Sequence, residues 1–229
     1  MSTVAIITAR GGSKRIPRKN IKPFMDKPML AYPIAAALKS GVFDEVMVST
    51  DCPEIAAAAQ KYGAKVPFMR SLKTSDDYST TFDVLEEVLG EYKKQGKKFD
   101  ETCCIYPCSP FLTAETLRKA YQQMKEAGAD SLVPVCKYPV PIEWAIKIEN
   151  GILHPFDPAA QNMRSQDLIP KYYDAGVFYL MNTSVLLETK RIITGNTLAF
   201  ILPESEVQDI DTEEDWKMAE MKFRVLNNV

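Results

Sequence analysis

Short apolar runs alternate along the chain with longer segments in which hydrophobic residues recur every three or four positions. The first run, Val4 to Ile7, is rich in β-branched residues and short enough to be a buried strand of a parallel sheet. Similar runs predict strands at 45–50, 65–69, 102–106, 131–136, 176–180 and 198–202. Because the intervening segments are long enough to cross over as helices, the pattern predicts parallel strands with right-handed connections.

The segments between the runs carry helix signals. The first helix begins after Pro28 and has Leu30, Ile34 and Leu38 on one face, and Pro33 inside it predicts a late start or a kink. Capping residues, prolines and glycines mark the ends of the others. Further helices are predicted at about 53–62, 79–95, 113–127, 183–189 and from 211 onwards.

The alternation fails between residues 137 and 168, where four prolines interrupt it. Two short runs, 145–149 and 152–154, flank Asn150-Gly151, which is the strongest short signal for a β-hairpin. We therefore expect an antiparallel excursion from the main sheet, an arm at about 138–170. The length suits a single domain over residues 1–229.

A glycine-containing basic loop follows the first strand. Residues 10–22 hold six lysines and arginines and no acidic residue, although the whole chain has a net charge of -2. Gly11 and Gly12 allow the backbone to approach a ligand closely, and the amides and cations of such a loop bind phosphate oxygens. The spacing fits neither the P-loop nor the dinucleotide-binding fingerprint. A phosphate loop of another design is one interpretation, and a solvated basic turn is the other.

Composition excludes several functional classes. With 46% hydrophobic and 25% charged residues, the chain resembles an ordinary folded soluble protein. Its charge argues against a nucleic-acid partner, and no apolar run approaches the ~20 residues that a membrane helix needs. The chain enters its first strand at once, which leaves no room for a signal peptide, so we expect a cytoplasmic protein with no membrane partner.

Five cysteines and one histidine make a structural zinc site unexpected, because such sites need four ligands at regular spacings. The cysteines are interpreted as small, reduced residues in or near the core. Cys108 is the candidate exception, because it lies in a loop that follows a strand.

Five motifs, taken in order, carry a resemblance to one enzyme family. They are ARGGSK at 9–14 with Lys19-Asn20, STDCPEIA at 49–56, Arg70 with Asp77, PCSPF at 107–111, and DIDTEED at 209–215. Together they closely resemble the CMP-N-acetylneuraminic acid synthetase family, nucleotidyltransferases that activate nonulosonic, sialic-acid-like sugars. The resemblance implies an α/β fold with a three-layer, open, mostly parallel sheet, Rossmann-like and of the nucleotide-diphospho-sugar transferase type, with an antiparallel hairpin excursion.

The implied reaction is attack by the anomeric hydroxyl of a nonulosonic acid on the α-phosphorus of CTP. Pyrophosphate leaves and a CMP-sugar forms, a displacement that depends mainly on alignment and charge neutralisation. The resemblance assigns catalysis to Arg10, Lys19 and Asp211. It assigns nucleotide binding to Ala9, Arg10, Gly11, Ser13, Lys19, Asn20, Arg70, Asp77 and Thr81.

A magnesium ion is expected at Asp209 and Asp211. These residues are two positions apart, so in an extended segment their side chains face the same side. Mg²⁺ is commonly held by one or two carboxylates together with phosphates. For Asp211 another interpretation stays open, because Asp211 or Thr212 is also suited to cap the final helix.

The sugar site is implied at Tyr106, Arg164, Gln166, Asp174 and Tyr179. Arg164 matches the arginine that meets the sugar carboxylate, although it is also a candidate surface residue, and Tyr179 is also a candidate core residue. Tyr106 and Cys108 depart from the pattern of the N-acetylneuraminate enzymes. In these features the chain is similar to the branch of the family that uses pseudaminic acid.

The resemblance also implies a homodimer in which one subunit's arm covers the other's site, and symmetric pairs are the commonest soluble assemblies. Three alternatives stay open. In the first, the same chemistry acts on N-acetylneuraminate, legionaminate or a shorter keto-deoxy sugar acid. In the second, the chain is a glycosyltransferase, although Ser49-Thr50-Asp51 does not supply the D-x-D that this class needs. In the third, it is a non-catalytic nucleotide-binding regulator.

Overall fold

The computed structural model describes residues 1–228. Its strands are β1 (Thr3–Thr8), β2 (Pro23–Phe24), β3 (Lys27–Pro28), β4 (Glu45–Ser49), β5 (Glu101–Ile105), β6 (Ser131–Lys137), β7 (Ile146–Glu149), β8 (Ile152–Pro155), β9 (Tyr172–Asp174), β10 (Phe178–Asn182) and β11 (Thr197–Leu202). Its α-helices are α1 (Ala31–Ser40), α2 (Pro53–Lys61), α3 (Thr81–Lys94), α4 (Ala114–Ala127), α5 (Thr183–Thr189) and α6 (Glu213–Asn227). None of the helices in this described part combines the length and the apolar character that a bilayer crossing requires.

The main sheet has the strand order β11-β6-β10-β5-β1-β4, and β9 also pairs with β6. β1 runs parallel to β4 and β5, and β11 runs parallel to β6. β10 is antiparallel to both of its neighbours, and β9 is antiparallel to β6. The expected open α/β sheet is therefore confirmed, but as a mixed sheet: three strand pairings are parallel, and the three that β9 and β10 make are antiparallel.

Alternation along β1 divides the core into two layers around the sheet. Ala5 and Ile7 face a cluster that includes apolar residues of α1, α2 and α4. Val4 and Ile6 face the other side, where residues of α3 and α5 complete a second cluster. Successive strand residues point to opposite faces, so an uninterrupted apolar run indicates a strand that is covered on both sides. The result is the expected three-layer arrangement.

One predicted strand is wrong. At 65–69 the backbone of Lys65 alone makes a bridge, donating to Val46 and accepting from Val48. Pro67 follows two residues later and has no N–H to extend the ladder. The late start that Pro33 predicts for α1 is not observed, because the helix begins at Ala31. Pro33 thus lies in the first turn, where a proline loses no intrahelical hydrogen bond. Leu38, predicted to face inward, is 44% exposed.

The predicted hairpin is present. β7 and β8 pair antiparallel across Asn150 and Gly151, whose φ angles are both positive, as a two-residue hairpin turn requires. The apolar side chains of this hairpin remain exposed, among them Ile148 and Ile152. The arm thus leaves the main sheet without a hydrophobic layer of its own.

The final helix α6 is capped by Thr212, which forms a capping box with Asp215. Trp216 and Ala219 are buried in a third cluster with Phe24 and Tyr32, and Phe223 packs against it. Because Thr212 takes the capping role, the side chain of Asp211 is left free for other contacts.

Candidate active site

A cavity of about 970 Å³ opens beyond the carboxyl ends of β1 and β5. Ligands of open α/β sheets bind in this position. It is lined by Thr8, Arg10, Ser13, Lys14, Arg15, Lys19, Asn20, Asp77, Tyr106, Pro107, Cys108, Tyr173, Asp174, Ala175, Gly176, Val207, Gln208, Asp209 and Ile210. The basic loop, the turn after β5, the β9–β10 turn and the segment before α6 thus converge on one space.

The basic loop is attached to the sheet at its start. The Ala9 amide donates to the Ser49 carbonyl (2.9 Å), and the Gly11 amide donates to Asp51 Oδ1 (2.8 Å). A Cβ at position 11 would lie 2.9 Å from the Cβ of Cys52, a distance that real side chains do not adopt. Only glycine therefore fits at position 11 without a shift of α2.

Asn20 and Ser13 hold the loop together from inside. The buried Asn20 donates from Nδ2 to the Arg10 carbonyl (2.9 Å), and its Oδ1 accepts from the thiol of Cys108 (3.5 Å). Ser13 Oγ donates to the Ile16 carbonyl (2.7 Å). Both residues were assigned to the nucleotide on resemblance. The structure adds an internal role, because these bonds shape the loop that carries the cations.

Acidic residues from other segments neutralise the cations of this loop. Arg10 Nη1 donates to Asp77 Oδ1 (2.7 Å) and to the Asp76 carbonyl (2.8 Å), and Lys14 also pairs with Asp77. Hydrogen bonds from Lys14 and then Arg10 lower the pKa of Asp77. Arg18 pairs with Glu54 at the far side of the loop. A polyphosphate that enters the cavity must therefore take over the cations that Asp77 now holds.

The two carboxylates before α6 lie against the same loop. Asp211 pairs with Arg15 (2.8 Å) and Lys19 (3.5 Å), and Lys19 Nζ also donates to the Ile210 carbonyl (2.6 Å). Burial and the nearby charge of Asp211 raise the pKa of Asp209, whose carboxylate accepts no hydrogen bond from the described residues. Two carboxylates that repel each other favour a bound cation between them and a phosphate.

A divalent ion of the magnesium type fits this pair. In the described part of the chain, no cluster of three or more acidic, histidine or cysteine side chains forms a complete protein cage. Two carboxylates are enough for Mg²⁺, however, because this ion keeps several waters and takes phosphate oxygens as its other ligands.

The thiol of Cys108 lies near Lys19, Asp209 and Asp211 but, unlike them, carries no charge. Burial raises its pKa to about 12, so the thiol stays protonated at neutral pH. Its contact with Asn20 joins the turn after β5 to the basic loop. Cys108 is therefore a packing and hydrogen-bonding residue of the cavity wall, and the thiolate that a nucleophile or metal ligand needs is absent.

The tyrosines of the expected sugar site form a pair at the wall. The rings of Tyr106 and Tyr179 pack edge to face with centroids 5.6 Å apart. The Tyr106 hydroxyl shares a hydrogen bond with Thr81 Oγ1 (2.9 Å), and the Tyr179 hydroxyl donates to Asp174 Oδ2 (2.8 Å). Tyr106 and Asp174 line the cavity, whereas Thr81 and Tyr179 lie behind it.

Other residues expected at the site also lie outside the cavity lining, namely Ala9, Gly11, Asp211, Arg70, Arg164 and Gln166. Arg70 is buried and donates from Nε and Nη2 to the side chain and carbonyl of Ser49. Arg164 and Gln166 are exposed on the arm, and Arg164 pairs with Asp167 there. Within one chain, Arg70 thus supports the end of β4, and the arm residues do not reach the cavity. Their nucleotide and sugar roles stay predictions.

Several wall residues escaped the sequence analysis. Asp51, part of the motif at 49–56, supports the wall from behind, and its bond to the Gly11 amide depends on the pairing of β1 with β4. Tyr173, Gly176 and Gln208 line the cavity without belonging to any motif. Gly176 did carry a usable signal, because the sequence Asp-Ala-Gly before an apolar run is typical of a turn.

A sequence model of the family described as "Cytidylyltransferase" matches residues 4–209. A pseudaminic acid cytidylyltransferase of Campylobacter jejuni is 40% identical over 98% of this chain and 97% of its own length. A CMP-N,N'-diacetyllegionaminic acid synthase of Legionella pneumophila is 34% identical over 99% of this chain and 98% of its own length.

Solved structures agree on the fold. The structure of CMP:2-keto-3-deoxy-manno-octonic acid synthetase, solved with CTP, superposes with a TM-score of 0.71 at 18% identity and covers the whole of both chains. At this identity the likeness bears on the fold alone. This superposition confirms the expected α/β nucleotidyltransferase fold. On the family match over residues 4–209 and the end-to-end similarity to the Campylobacter jejuni enzyme, this chain belongs to the cytidylyltransferase family.

Proposed function

We propose that this enzyme transfers CMP from CTP to the anomeric hydroxyl of pseudaminic acid, releasing pyrophosphate. The observation that carries the proposal is the convergence of Arg10, Lys14, Arg15 and Lys19 with the carboxylate of Asp209 in one cavity, where Arg15 and Lys19 also pair with Asp211. The end-to-end similarity to pseudaminic acid cytidylyltransferases supports pseudaminic acid as the sugar. The product is a CMP-sugar of the kind used for surface glycans.

The basic loop is suited to hold the triphosphate of CTP. Arg10 presents a planar guanidinium that binds phosphate through two hydrogen bonds, and Lys19 supplies a point charge fixed by the Ile210 carbonyl. Together they offset the charge that grows on the leaving pyrophosphate. Because the sugar hydroxyl and the α-phosphorus are held in one cavity, the displacement gains mainly from alignment.

Asp209 and Asp211 are the residues that would hold Mg²⁺. A bound Mg²⁺ stabilises negative charge on phosphate oxygens. Without it, Arg15 and Lys19 neutralise Asp211, while Asp209 has no hydrogen-bonding partner among the described residues. Thr212 and Asp215 form the cap of α6, so neither Asp209 nor Asp211 is needed for it, and Asp209 lines the cavity.

A homodimer accounts for the arm. Its hairpin exposes Ile148, Ile152 and Leu153, and an isolated two-stranded hairpin is marginally stable in water. At the base of the arm, Glu143 Oε2 is buried and has no hydrogen-bond partner among the described residues. We infer that the arm packs on a second copy of the chain. Arg164 and Gln166 would then reach the sugar of the neighbouring site, which explains why they lie outside their own chain's cavity.

A cytoplasmic location completes the proposal. All five cysteines of the chain are free thiols, which suits a reducing compartment. CTP, the proposed donor, is a cytoplasmic metabolite.

The decisive experiment measures pyrophosphate release from CTP and Mg²⁺ with pseudaminic acid, N-acetylneuraminic acid and N,N'-diacetyllegionaminic acid in parallel. We expect release with pseudaminic acid at the highest kcat/KM. Preference for another of the three would keep the chemistry and overturn the proposed sugar. CTP binding with no release from any sugar acid would contradict the transferase proposal.

The Lys19→Ala variant tests the placement of the triphosphate. We expect its affinity for CTP to fall about tenfold or more, and its affinity for CMP to change far less, because a phosphate–lysine contact is lost only from the longer ligand. The matched control is Lys119→Ala on α4, where an exposed lysine pairs with Glu115. Equal losses for CTP and CMP would move Lys19 away from the β- and γ-phosphates.

A further inference from the structure

A second cavity lies at the opposite edge of the sheet from the candidate active site. Its volume is about 680 Å³, within the range of small-molecule sites. Met1 precedes β1, Glu101 opens β5 and Asp130 precedes β6, so these wall residues mark the amino ends of three strands. The five residues of β5 separate the two cavities by about 16 Å of strand, at ~3.3 Å per residue. No step of the proposed CMP transfer uses this space.

Apolar side chains form the floor of the second cavity. Leu89 and Met124 are buried, and Phe99 is half-buried with its ring packed on Tyr92. Leu187 of α5 completes this surface and is 40% exposed. Because apolar surface gains free energy when a ligand removes it from water, the floor favours a ligand with an apolar body.

Four lysines surround this floor, and we call the space the lysine cavity. Two of them, Lys97 and Lys125, form ion pairs with glutamates at 2.9 and 2.7 Å. The other two, Lys93 and Lys98, are exposed and pair with no carboxylate of residues 1–228. Lysine is a point charge on a flexible stem, so it meets a phosphate or a carboxylate without the fixed geometry that arginine imposes.

The three carboxylates of the same wall are already engaged by the protein. Each accepts at least one hydrogen bond: Asp100 from the Ser2 amide (2.7 Å), Glu101 from the Tyr121 hydroxyl and Lys125 (2.7 Å each), and Asp130 from the Thr194 hydroxyl (3.4 Å). The last carbonyls of α3 and α4 accept backbone amides, so they do not need the lysines as hydrogen-bond donors. The groups left without a partner on this wall are therefore cations.

We propose that the lysine cavity binds a small organic anion, an apolar body such as an aromatic ring that carries one phosphate or carboxylate group. The apolar body lies on Leu89, Phe99 and Met124, and the acidic group meets Lys93 and Lys98. Both parts are needed, because an exposed ion pair contributes little by itself and apolar burial supplies the rest. The assignment is independent of the proposed transfer reaction, since the two cavities share no lining residue.

Isothermal titration calorimetry of the full chain with 1-naphthyl phosphate tests the proposal. We expect the double variant Lys93→Gln, Lys98→Gln to bind this probe about five- to tenfold more weakly than wild type, because two phosphate–lysine contacts are lost. The matched control is Lys39→Gln, Lys61→Gln, which removes two exposed lysines at the ends of α1 and α2 and should bind as wild type does. A wild type that does not bind the probe, or equal affinities of the two double variants, would overturn the proposal.

The basic loop of the active site also attracts phosphate, so the titrations are repeated in the Lys19→Ala background. We expect the same five- to tenfold difference there, because Lys19 lines the other cavity. A difference that disappears in this background would place the probe at the basic loop and overturn the assignment.

Two further compounds separate the charge from the apolar body. In the Lys19→Ala background we expect inorganic phosphate and 1-naphthol each to bind at least about fivefold more weakly than 1-naphthyl phosphate, because each has one of the two recognised features. Leu187→Ser should weaken the probe about twofold or more, whereas Leu38→Ser, about as exposed on α1, should not. Inorganic phosphate that binds as tightly as the probe, or equal affinities of these two variants, would contradict an organic ligand.

Discussion

Single residues decide the shape of the basic loop. Gly11 is required because Cys52 leaves no room for a side chain, and Asn20 is buried so that its amide can reach the Arg10 carbonyl. Both residues belong to a motif that is visible in the sequence. Their physical reasons lie in contacts with α2 and within the loop itself, which no spacing along the chain reveals.

Asp77 is the residue for which structure and resemblance lead to different expectations. The resemblance implies nucleotide binding, whereas the carboxylate here pairs with Arg10 and Lys14. We predict that Asp77→Asn binds inorganic tripolyphosphate about two- to fivefold more tightly, because the ligand no longer displaces an exposed ion pair. Titration calorimetry with tripolyphosphate and with CTP would measure this. Weaker CTP binding with unchanged tripolyphosphate binding would instead indicate contact with the nucleoside.

Asp211→Asn tests the metal assignment. We predict that pyrophosphate release at a fixed, limiting Mg²⁺ concentration falls about 10- to 100-fold, since one of two carboxylate ligands is lost. Circular dichroism should show an unchanged fold. The control is Glu213→Gln, an exposed neighbour whose carboxylate pairs with Lys22, whereas that of Asp211 pairs with Arg15 and Lys19. Turnover of Asp211→Asn near that of the control would end the metal assignment.

At the scale of secondary-structure elements, the sequence predicts helix caps and the hairpin turn correctly, but it predicts a strand at 65–69 that the structure lacks. Thr113 and Thr212 cap α4 and α6, and Asn150-Gly151 forms its hairpin, because each depends on neighbours in sequence. The strand predicted at 65–69 is absent because a strand needs a neighbour with which its backbone forms a continuous hydrogen-bond ladder. Here only Lys65 forms a bridge, and Pro67 has no N–H with which to extend it. The role of the arm likewise depends on what covers it.

The exposed hairpin leads to a prediction about assembly. We predict that Ile148→Asp, Ile152→Asp shifts the protein from dimer to monomer in sedimentation velocity, because two charges would be buried at an apolar contact. Ile193→Asp is the control, since Ile193 is as exposed as Ile152 but lies outside the arm. A wild type that sediments as a monomer, or a variant that remains dimeric, would contradict pairing through the arm.

Across the whole molecule, stability rests partly on a buried carboxylate at the start of β4. Glu45 accepts hydrogen bonds from Tyr92, Lys65 and Lys97. Burial by itself would raise the pKa of Glu45, but these bonds outweigh it and lower the pKa below its ordinary value of 4.5. The carboxylate therefore stabilises the fold above that pH, and the stabilisation is lost as the pH falls through the lowered pKa.

We predict that Glu45→Gln lowers the free energy of unfolding by about 1–3 kcal/mol at pH 7, because charged hydrogen bonds are replaced by neutral ones. The difference from wild type should shrink below pH 4.5, where the unfolded chain begins to bind the proton, and vanish once the pH falls through the lowered pKa of the native carboxylate. Urea unfolding at several pH values measures it. A difference that is constant from pH 7 to pH 3 would contradict a charge-dependent role.

The sequence by itself determined the features that depend on nearby residues. β-branched runs with helices between them specify a sheet covered on both faces, and residues 10–22 concentrate six positive charges in the loop after the first strand. The tertiary structure decided how distant segments meet. The insertion of antiparallel β10 between β5 and β6 brings Asp174 and Tyr179 beside Tyr106. The ion pair between Asp77 and Arg10 joins the segment before α3 to the loop after β1. Local patterns encode local conformation, whereas strand order and side-chain partners depend on long-range packing, which spacing along the chain does not record.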